Sequence, residues 1–143
     1  MTNQAAMYTG SCLCEGVKFR IRSELAPVQV CHCGQCRKAQ GGPFATNMPV
    51  AVSALEFTAG KPLLKAYESS PGKSRFFCSN CGSPVYSART ALPGVVRIRA
   101  GLINEPLRVR PESHAYVQSK CNWWSIQDGL PQYAQTHEAS PKV

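Results

Sequence analysis

The stretch GSCLCEGVKFRIR, residues 10–22, sets a cysteine pair directly before a segment of alternating character. From residue 17 onward apolar and basic residues alternate, which places Val17, Phe19 and Ile21 on one face of a half-buried strand. Alternate residues of an extended chain point to the same side, so we expect Cys12 and Cys14 to reach one metal ion together. The stretch therefore predicts a β-sheet protein with a metal site.

Two further cysteine clusters lie downstream, CHCGQC at residues 31–36 and CSNC at residues 78–81. A Cys-x-x-Cys pair closes a tight turn and directs both thiols at one ion. Zinc takes four ligands at tetrahedral angles, so seven clustered cysteines divide into four and three. A set of four is typical of a closed structural site, whereas a set of three leaves one position for water or substrate, as in catalytic zinc sites.

The rest of the chain predicts a mainly β fold of short antiparallel strands, because brief apolar segments alternate with turn sequences and no amphipathic segment has helical length. One or two helical turns are expected at residues 35–40, before Gly41-Gly42-Pro43. We expect one zinc-binding domain over residues 8–133, with flexible ends at 1–7 and 134–143. Further strands are expected at residues 28–30, 44–48, 55–58, 63–67, 75–77, 85–88, 95–100 and 114–117.

Charge and composition narrow the function classes. The formal charge of +8 counts cysteines as neutral; seven thiolates contribute −7 and two zinc ions +4, which leaves +5. The basic residues are scattered, so a nucleic-acid partner is not expected. The N-terminal residues show no secretory pattern and no apolar segment reaches the roughly 20 residues of a membrane span, so we expect a cytoplasmic location and zinc-binding thiols rather than disulfides.

The motifs together strongly resemble those of the glutathione-dependent formaldehyde-activating enzyme family, which also includes centromere protein V. The resemblance covers nearly the whole chain and rests on GSCLCEG (10–16), CHCGQCRK (31–38), FCSNCGS (77–83), SHAYV (113–117), Lys120 with Trp123, and DGLPQY (128–133). It implies an Mss4-like β-tent fold. It also implies a structural zinc held by Cys12, Cys14, Cys78 and Cys81, and a catalytic zinc held by Cys31, Cys33 and Cys36.

The resemblance further implies the condensation of glutathione with formaldehyde to S-hydroxymethylglutathione, formally a carbon–sulfur lyase reaction in reverse. Three thiolates donate strongly to zinc, so an activated water is less suitable here than an incoming thiol, which would lose its proton on binding. We therefore expect two zinc sites, the second more labile, with glutathione as cosubstrate and a small carbonyl compound as its partner. The alternative is a non-catalytic, zinc-stabilised protein that binds nucleic acid or another protein.

Several residues remain open at this level. Cys121 could complete a closed second site, although a free or partly buried thiol fits its isolation better. His32 is expected to pack or support the ligands rather than bind metal, and His114 and His137 to have structural roles or none. Trp123 and Trp124 are expected to be buried against the sheet. Three basic residues could meet the carboxylates of glutathione, namely Arg37, Lys38 and Lys120.

Overall fold

The computed structural model describes residues 7–136, which divide into two compact units. Within the described part, the first unit comprises residues 7–26 and 48–108, and the second comprises residues 27–47 and 109–136. His137 and most of the expected flexible ends, residues 1–6 and 137–143, lie outside the described residues. Hydrogen bonds continue past residue 133, since the Tyr116 amide donates to the Gln135 carbonyl at 2.7 Å. The domain boundaries stay a prediction.

Ten strands and one α-helix make up most of the regular structure between residues 7 and 136. They are β1 (Tyr8–Ser11), β2 (Lys18–Ile21), β3 (Val28–Cys31), α1 (Gly34–Gln40), β4 (Ala45–Ala51), β5 (Leu55–Ala59), β6 (Leu64–Ser70), β7 (Lys73–Cys78), β8 (Pro84–Arg89), β9 (Val95–Arg99) and β10 (Pro111–Ala115). The expected mainly β architecture is confirmed. In this part of the chain, no helix has the length and apolar composition needed to cross a membrane.

The first unit contains an antiparallel sheet in which β2 lies between β1 and β5. The predicted alternation of β2 is confirmed, because Val17, Phe19 and Ile21 are all buried and Lys18 is exposed. Strands β6, β7, β8 and β9 follow one another as antiparallel neighbours. The apolar core of the first unit also includes Leu25, Met48, Val50, Val85, Val96 and Ile98.

The second unit places β3 between β4 and β10. Strand β3 is antiparallel to β4 but parallel to β10, which is an exception to the mainly antiparallel pairing that the sequence predicts. Short hairpin loops force neighbouring strands to run antiparallel, but β3 and β10 are far apart in sequence and are free of that constraint. The pairing puts His114 opposite Val30 and Ala115 opposite Cys31.

Helix α1 confirms the predicted helical turns. The thiol of Cys33 accepts a hydrogen bond from the Cys36 amide at 3.3 Å, which caps the first turn. The helix ends at Gly41, whose φ of 70° is left-handed and therefore favours glycine, and whose amide donates to the Arg37 carbonyl. The helix thus ends at the glycine that the sequence predicts will stop it.

Candidate metal centres and the surrounding residues

The four-cysteine set, Cys12, Cys14, Cys78 and Cys81, gathers within the first unit, with all four sulfur atoms inside 4.8 Å of one another. Cys12 and Cys14 do not lie on a strand, so the extended geometry expected for them is wrong. β1 ends at Ser11, and the next residues form a turn in which the Glu15 amide donates to the Cys12 carbonyl. Glu15 has a φ of 64°, and the Cys12 amide pairs with the Val17 carbonyl.

The second pair lies where β7 ends and β8 has not yet begun. The Gly82 amide donates to the Cys78 carbonyl at 2.8 Å, and the Cys78 amide donates to the Ser83 carbonyl at 3.0 Å. The predicted tight turn is therefore confirmed. The Ser83 side chain also joins the two pairs, because its oxygen accepts from the Leu13 amide and contacts the Cys81 thiol. Sequence reasoning missed this role of Ser83.

The thiols of the four-cysteine set differ in their pKa values. Burial raises the pKa of Cys12 to about 11. The hydroxyl of Ser83 lowers the pKa of Cys81 to about 5, and the side chain of Asn80 lowers the pKa of Cys14. Local hydrogen bonds thus prepare part of the set as thiolates, the form in which cysteine binds metal.

The sulfur spacing of the four-cysteine set fits zinc. A tetrahedral ion bonded to sulfur at roughly 2.3 Å requires sulfur atoms roughly 3.8 Å apart. The distance from Cys12 Sγ to Cys14 Sγ is 3.6 Å, and that from Cys14 Sγ to Cys78 Sγ is 3.9 Å. The set packs against Val17 and the half-buried Phe57, Leu63 and Leu64. These two distances match a tetrahedral zinc site, so the four cysteines could hold a zinc ion.

The central cysteines, Cys31, Cys33 and Cys36, gather within the second unit. Cys31 ends β3, Cys33 caps α1, and Cys36 is buried in the first turn of the helix. Their sulfur atoms lie within 4.8 Å of one another, and among residues 7–136 no fourth histidine, cysteine or carboxylate joins the group. Hydrogen bonding with Cys33 and Cys36 raises the pKa of Cys31 well above its ordinary value. The three thiols can hold a soft metal ion with one position left over.

Cys121 does not belong to the group of central cysteines, although it lies in the same unit and is buried. The neighbouring Lys120 amine donates to the carbonyl oxygens of Cys121 and Trp124. Lys120 therefore holds the 121–124 segment in place. The other two candidate cations, Arg37 and Lys38, lie in the last turn of α1, the helix that carries Cys36.

The side chain between two central cysteines is the fully buried His32. Its Nε2 lies 2.8 Å from Nδ1 of His114, and Nε2 of His114 lies 2.9 Å from Oδ2 of Asp128. Burial lowers the pKa of His32 to about 4, and the Leu130 amide lowers the pKa of Asp128. The sequence indicated a supporting role for His32, but it did not show that hydrogen bonds connect His32 to His114 and His114 to Asp128.

The two tryptophans correct another expectation. The exposed fraction of Trp123 is 65% and that of Trp124 is 42%, so neither is buried against a sheet. Trp124 contacts Phe44 edge-on with ring centres 5.7 Å apart, and Phe44 in turn contacts His32 at 5.3 Å. The aromatic contacts therefore lead from an exposed tryptophan to the residue between the central cysteines.

Comparison with known proteins decides the family. The family model described as "Glutathione-dependent formaldehyde-activating enzyme" matches residues 7–119, a span that contains all seven clustered cysteines. The chain belongs to this family. The resemblance drawn from the cysteine motifs is thereby confirmed.

Two curated proteins and one solved structure are similar to this family member. A Halomonas elongata protein that carries the provisional name of a glutathione-dependent formaldehyde-activating enzyme is 33% identical over 82% of this chain and 80% of its own length. A Schizosaccharomyces pombe protein named as an uncharacterized lyase is 37% identical over 58% of each chain. A Rhodobacter sphaeroides crystal structure covers 72% of this chain and 98% of its own, with a TM-score of 0.59 and 22% identity, and shares the fold.

Proposed function

We propose that this protein is a zinc-dependent carbon–sulfur lyase that adds glutathione to formaldehyde or a similar small carbonyl compound, and reverses that addition. The observation that carries the proposal is the group of three central cysteines, which no fourth ligand closes among residues 7–136. Membership of a formaldehyde-activating family and the lyase name of a relative support it. The Mss4-like name for the fold rests on the family resemblance.

The central cysteines would hold the catalytic zinc, and the four-cysteine set would hold the structural one. When bound, zinc supplies a Lewis-acidic position at which a thiol loses its proton at neutral pH. The overall reaction forms one carbon–sulfur bond and breaks the S–H bond and the carbonyl π bond. The thiol proton ends on the former carbonyl oxygen, which gives an S-hydroxymethyl adduct, a hemithioacetal.

The residues around the central cysteines suit the binding of a peptide thiol. Arg37 and Lys38 offer positive charge on the helix that carries Cys36, and glutathione has two carboxylates. Phe44 and Trp124 provide an aromatic contact that begins at the surface and ends at His32. We propose that the cations bind the carboxylates while the aromatic rings limit the access of water. Eight free thiols suit a reducing compartment, so we also propose a cytoplasmic location.

Cobalt substitution tests whether a thiol enters the central site. Sulfur-to-cobalt absorption bands report how many thiolates surround the metal, so glutathione should strengthen the bands of protein loaded with two cobalt ions per chain. Cys31→Ser should keep the bands of the four-cysteine set and lose the response to glutathione. A fully loaded wild-type protein whose spectrum ignores glutathione would refute thiol binding at this site.

Product formation tests the reaction itself. Carbon-13 NMR of labelled formaldehyde mixed with glutathione should show a faster approach to the hydroxymethyl adduct when the zinc-loaded protein is present. Equal rates with wild-type protein and Cys31→Ser would refute the catalytic proposal, even if glutathione binds.

A further inference from the structure

Three ionisable side chains form a line that begins at the surface and ends between two central cysteines. The side chain of Asp128 is 45% exposed, His114 is buried, and His32 has no exposed surface. Two hydrogen bonds of 2.9 Å and 2.8 Å join them in that order. We call these three residues the Asp–His–His chain.

The hydrogen bonds assign the ring protons of both histidines. The Asp128 carboxylate can only accept; its Oδ1 accepts from the Leu130 amide at 3.0 Å, and Oδ2 accepts from Nε2–H of His114. When both rings are neutral, each carries one N–H, so Nδ1 of His114 accepts and Nε2 of His32 donates to it. Nδ1 of His32 then carries a lone pair, and among the described residues this buried atom has no hydrogen-bond partner.

Backbone hydrogen bonds hold the residues of the Asp–His–His chain in place. The His32 amide donates to the Ala115 carbonyl at 3.0 Å, which fixes β3 against β10 at the central cysteines. The His114 amide donates to the Pro131 carbonyl, and the His114 carbonyl accepts from the Tyr133 amide at 2.8 Å. The segment that follows Asp128 thus runs alongside β10 and delivers the carboxylate to His114.

We propose that Asp128 and His114 are positioning residues for the central cysteines. They hold the His32 ring in one tautomer and one orientation, and because His32 is covalently joined to Cys31 and Cys33, a fixed ring restrains the backbone from which both thiols project. Outer partners of this kind orient metal ligands and raise metal affinity. The inference rests on the proposed function only in taking the central cysteines as a metal site.

The tautomers provide the first test, by nitrogen-15 NMR of the imidazole rings in zinc-loaded protein. In the wild type, both His32 and His114 should carry the proton on Nε2; His137→Gln removes the third histidine signal. In Asp128→Asn, the side-chain oxygen still accepts from the Leu130 amide, so the amide nitrogen faces His114 and donates to it. Both rings should then move the proton to Nδ1.

Glu112→Gln is the matched control, because it removes an exposed carboxylate two residues before His114 on the same strand. It should leave both tautomers unchanged. If Asp128→Asn also leaves both unchanged, or if the wild-type His32 carries its proton on Nδ1, the Asp–His–His chain does not fix the ring and the proposal fails.

Zinc affinity provides the second test, by competition with a coloured chelator. Asp128→Ala should weaken zinc binding at the central cysteines about tenfold and leave the four-cysteine set, an internal control, unchanged. Glu112→Ala should change neither site. If Asp128 acts only through His114, the double variant Asp128→Ala with His114→Gln should bind zinc no more weakly than His114→Gln alone.

A central-site affinity that stays within twofold of the wild type in Asp128→Ala would overturn the proposal. Should that variant not fold, Asp128→Asn decides through the tautomers. Neither readout needs glutathione or formaldehyde. A wild-type protein that forms no adduct would therefore refute the proposed reaction alone.

Discussion

At the scale of single residues, the seven clustered cysteines have two different relations to the protein core. Cys12 and Cys78 are buried and pack with Val17 in the first unit, so a metal bound there would also tie apolar residues together. Cys31 and Cys33 are half-buried at the end of a strand and the start of a short helix. The loss of a ligand should therefore have different consequences at the two sites.

We predict that Cys78→Ser lowers the free energy of unfolding by on the order of 3 kcal/mol, because metal binding at a structural zinc site contributes directly to folding. Cys31→Ser should change stability far less but reduce the zinc content from two ions per chain to one. Native mass spectrometry and denaturant titration at fixed zinc concentration measure the two effects. Equal destabilisation by both substitutions would contradict the division of roles.

Trp124 should report events at the central cysteines, because Phe44 joins it to His32. We predict that glutathione changes the tryptophan fluorescence of the zinc-loaded protein. Trp123→Phe should keep the change and Trp124→Phe should remove it, since the more exposed Trp123 makes no described ring contact. A response that follows Trp123 instead would contradict this assignment.

The cysteine spacing predicted the local clusters, because residues two or three apart are local features. That Cys12 and Cys14 gather with Cys78 and Cys81, more than 60 residues away, was expected from the family resemblance. The Asp–His–His chain could not be predicted in the same way, since 82 residues separate His32 from His114 and only folding brings them together. Asp128 gave one local signal, an Asp-Gly turn whose carboxylate binds the Leu130 amide. The tryptophans were mispredicted because large apolar residues are usually buried, and only the tertiary structure shows where the 121–124 segment lies.

At the scale of elements, strand positions were largely predictable and strand β1 was missed. Its sequence, Tyr8-Thr-Gly-Ser11, is short and is interrupted by a glycine, which weakens the strand pattern. The structure explains that glycine: a Cβ atom at Gly10 would lie 2.2 Å from the Phe19 ring. Packing against β2 thus requires glycine at position 10, and that same glycine weakens the sequence pattern by which β1 could have been predicted. The parallel pairing of β3 with β10 was hidden for a different reason, since it depends on chain segments far apart in sequence.

Gly60 lies in the turn that follows β5, and we predict that replacing it with alanine destabilises the protein. Its φ is 73°, and a Cβ atom there would lie 1.9 Å from the Gly16 carbonyl oxygen. Gly60→Ala should lower the free energy of unfolding by about 3 kcal/mol, from left-handed strain together with a backbone clash. Gly129→Ala is the matched control, with the same φ but no atom within 4 Å of the added carbon, and should cost about 1 kcal/mol. Similar losses in denaturant titrations of the two variants would show that the clash is relieved at little cost.

At the scale of the whole molecule, each unit contains one group of clustered cysteines: the four-cysteine set lies in the first unit and the three central cysteines lie in the second. We predict that a chelator removes zinc in two stages. The central zinc should leave first with little change in circular dichroism, because three thiolates leave an exchangeable position. The second zinc should leave with cooperative loss of the β-sheet signal and a fall in Tm. Loss of both ions in a single stage, with unfolding, would contradict independent sites.

The separation of Cys14 from Cys81 also matters while the protein is being made. Cys81 is synthesised 67 residues after Cys14, a delay of about 3–13 s at ordinary rates of translation. During that time Cys12 and Cys14 leave the ribosome as an exposed pair of thiols. The turn that carries Cys78 and Cys81 has not yet been synthesised. If the four-cysteine set binds zinc as proposed, oxidation of the nascent chain would compete with metal loading, and we expect the redox state of the cell during synthesis to affect the yield of folded protein.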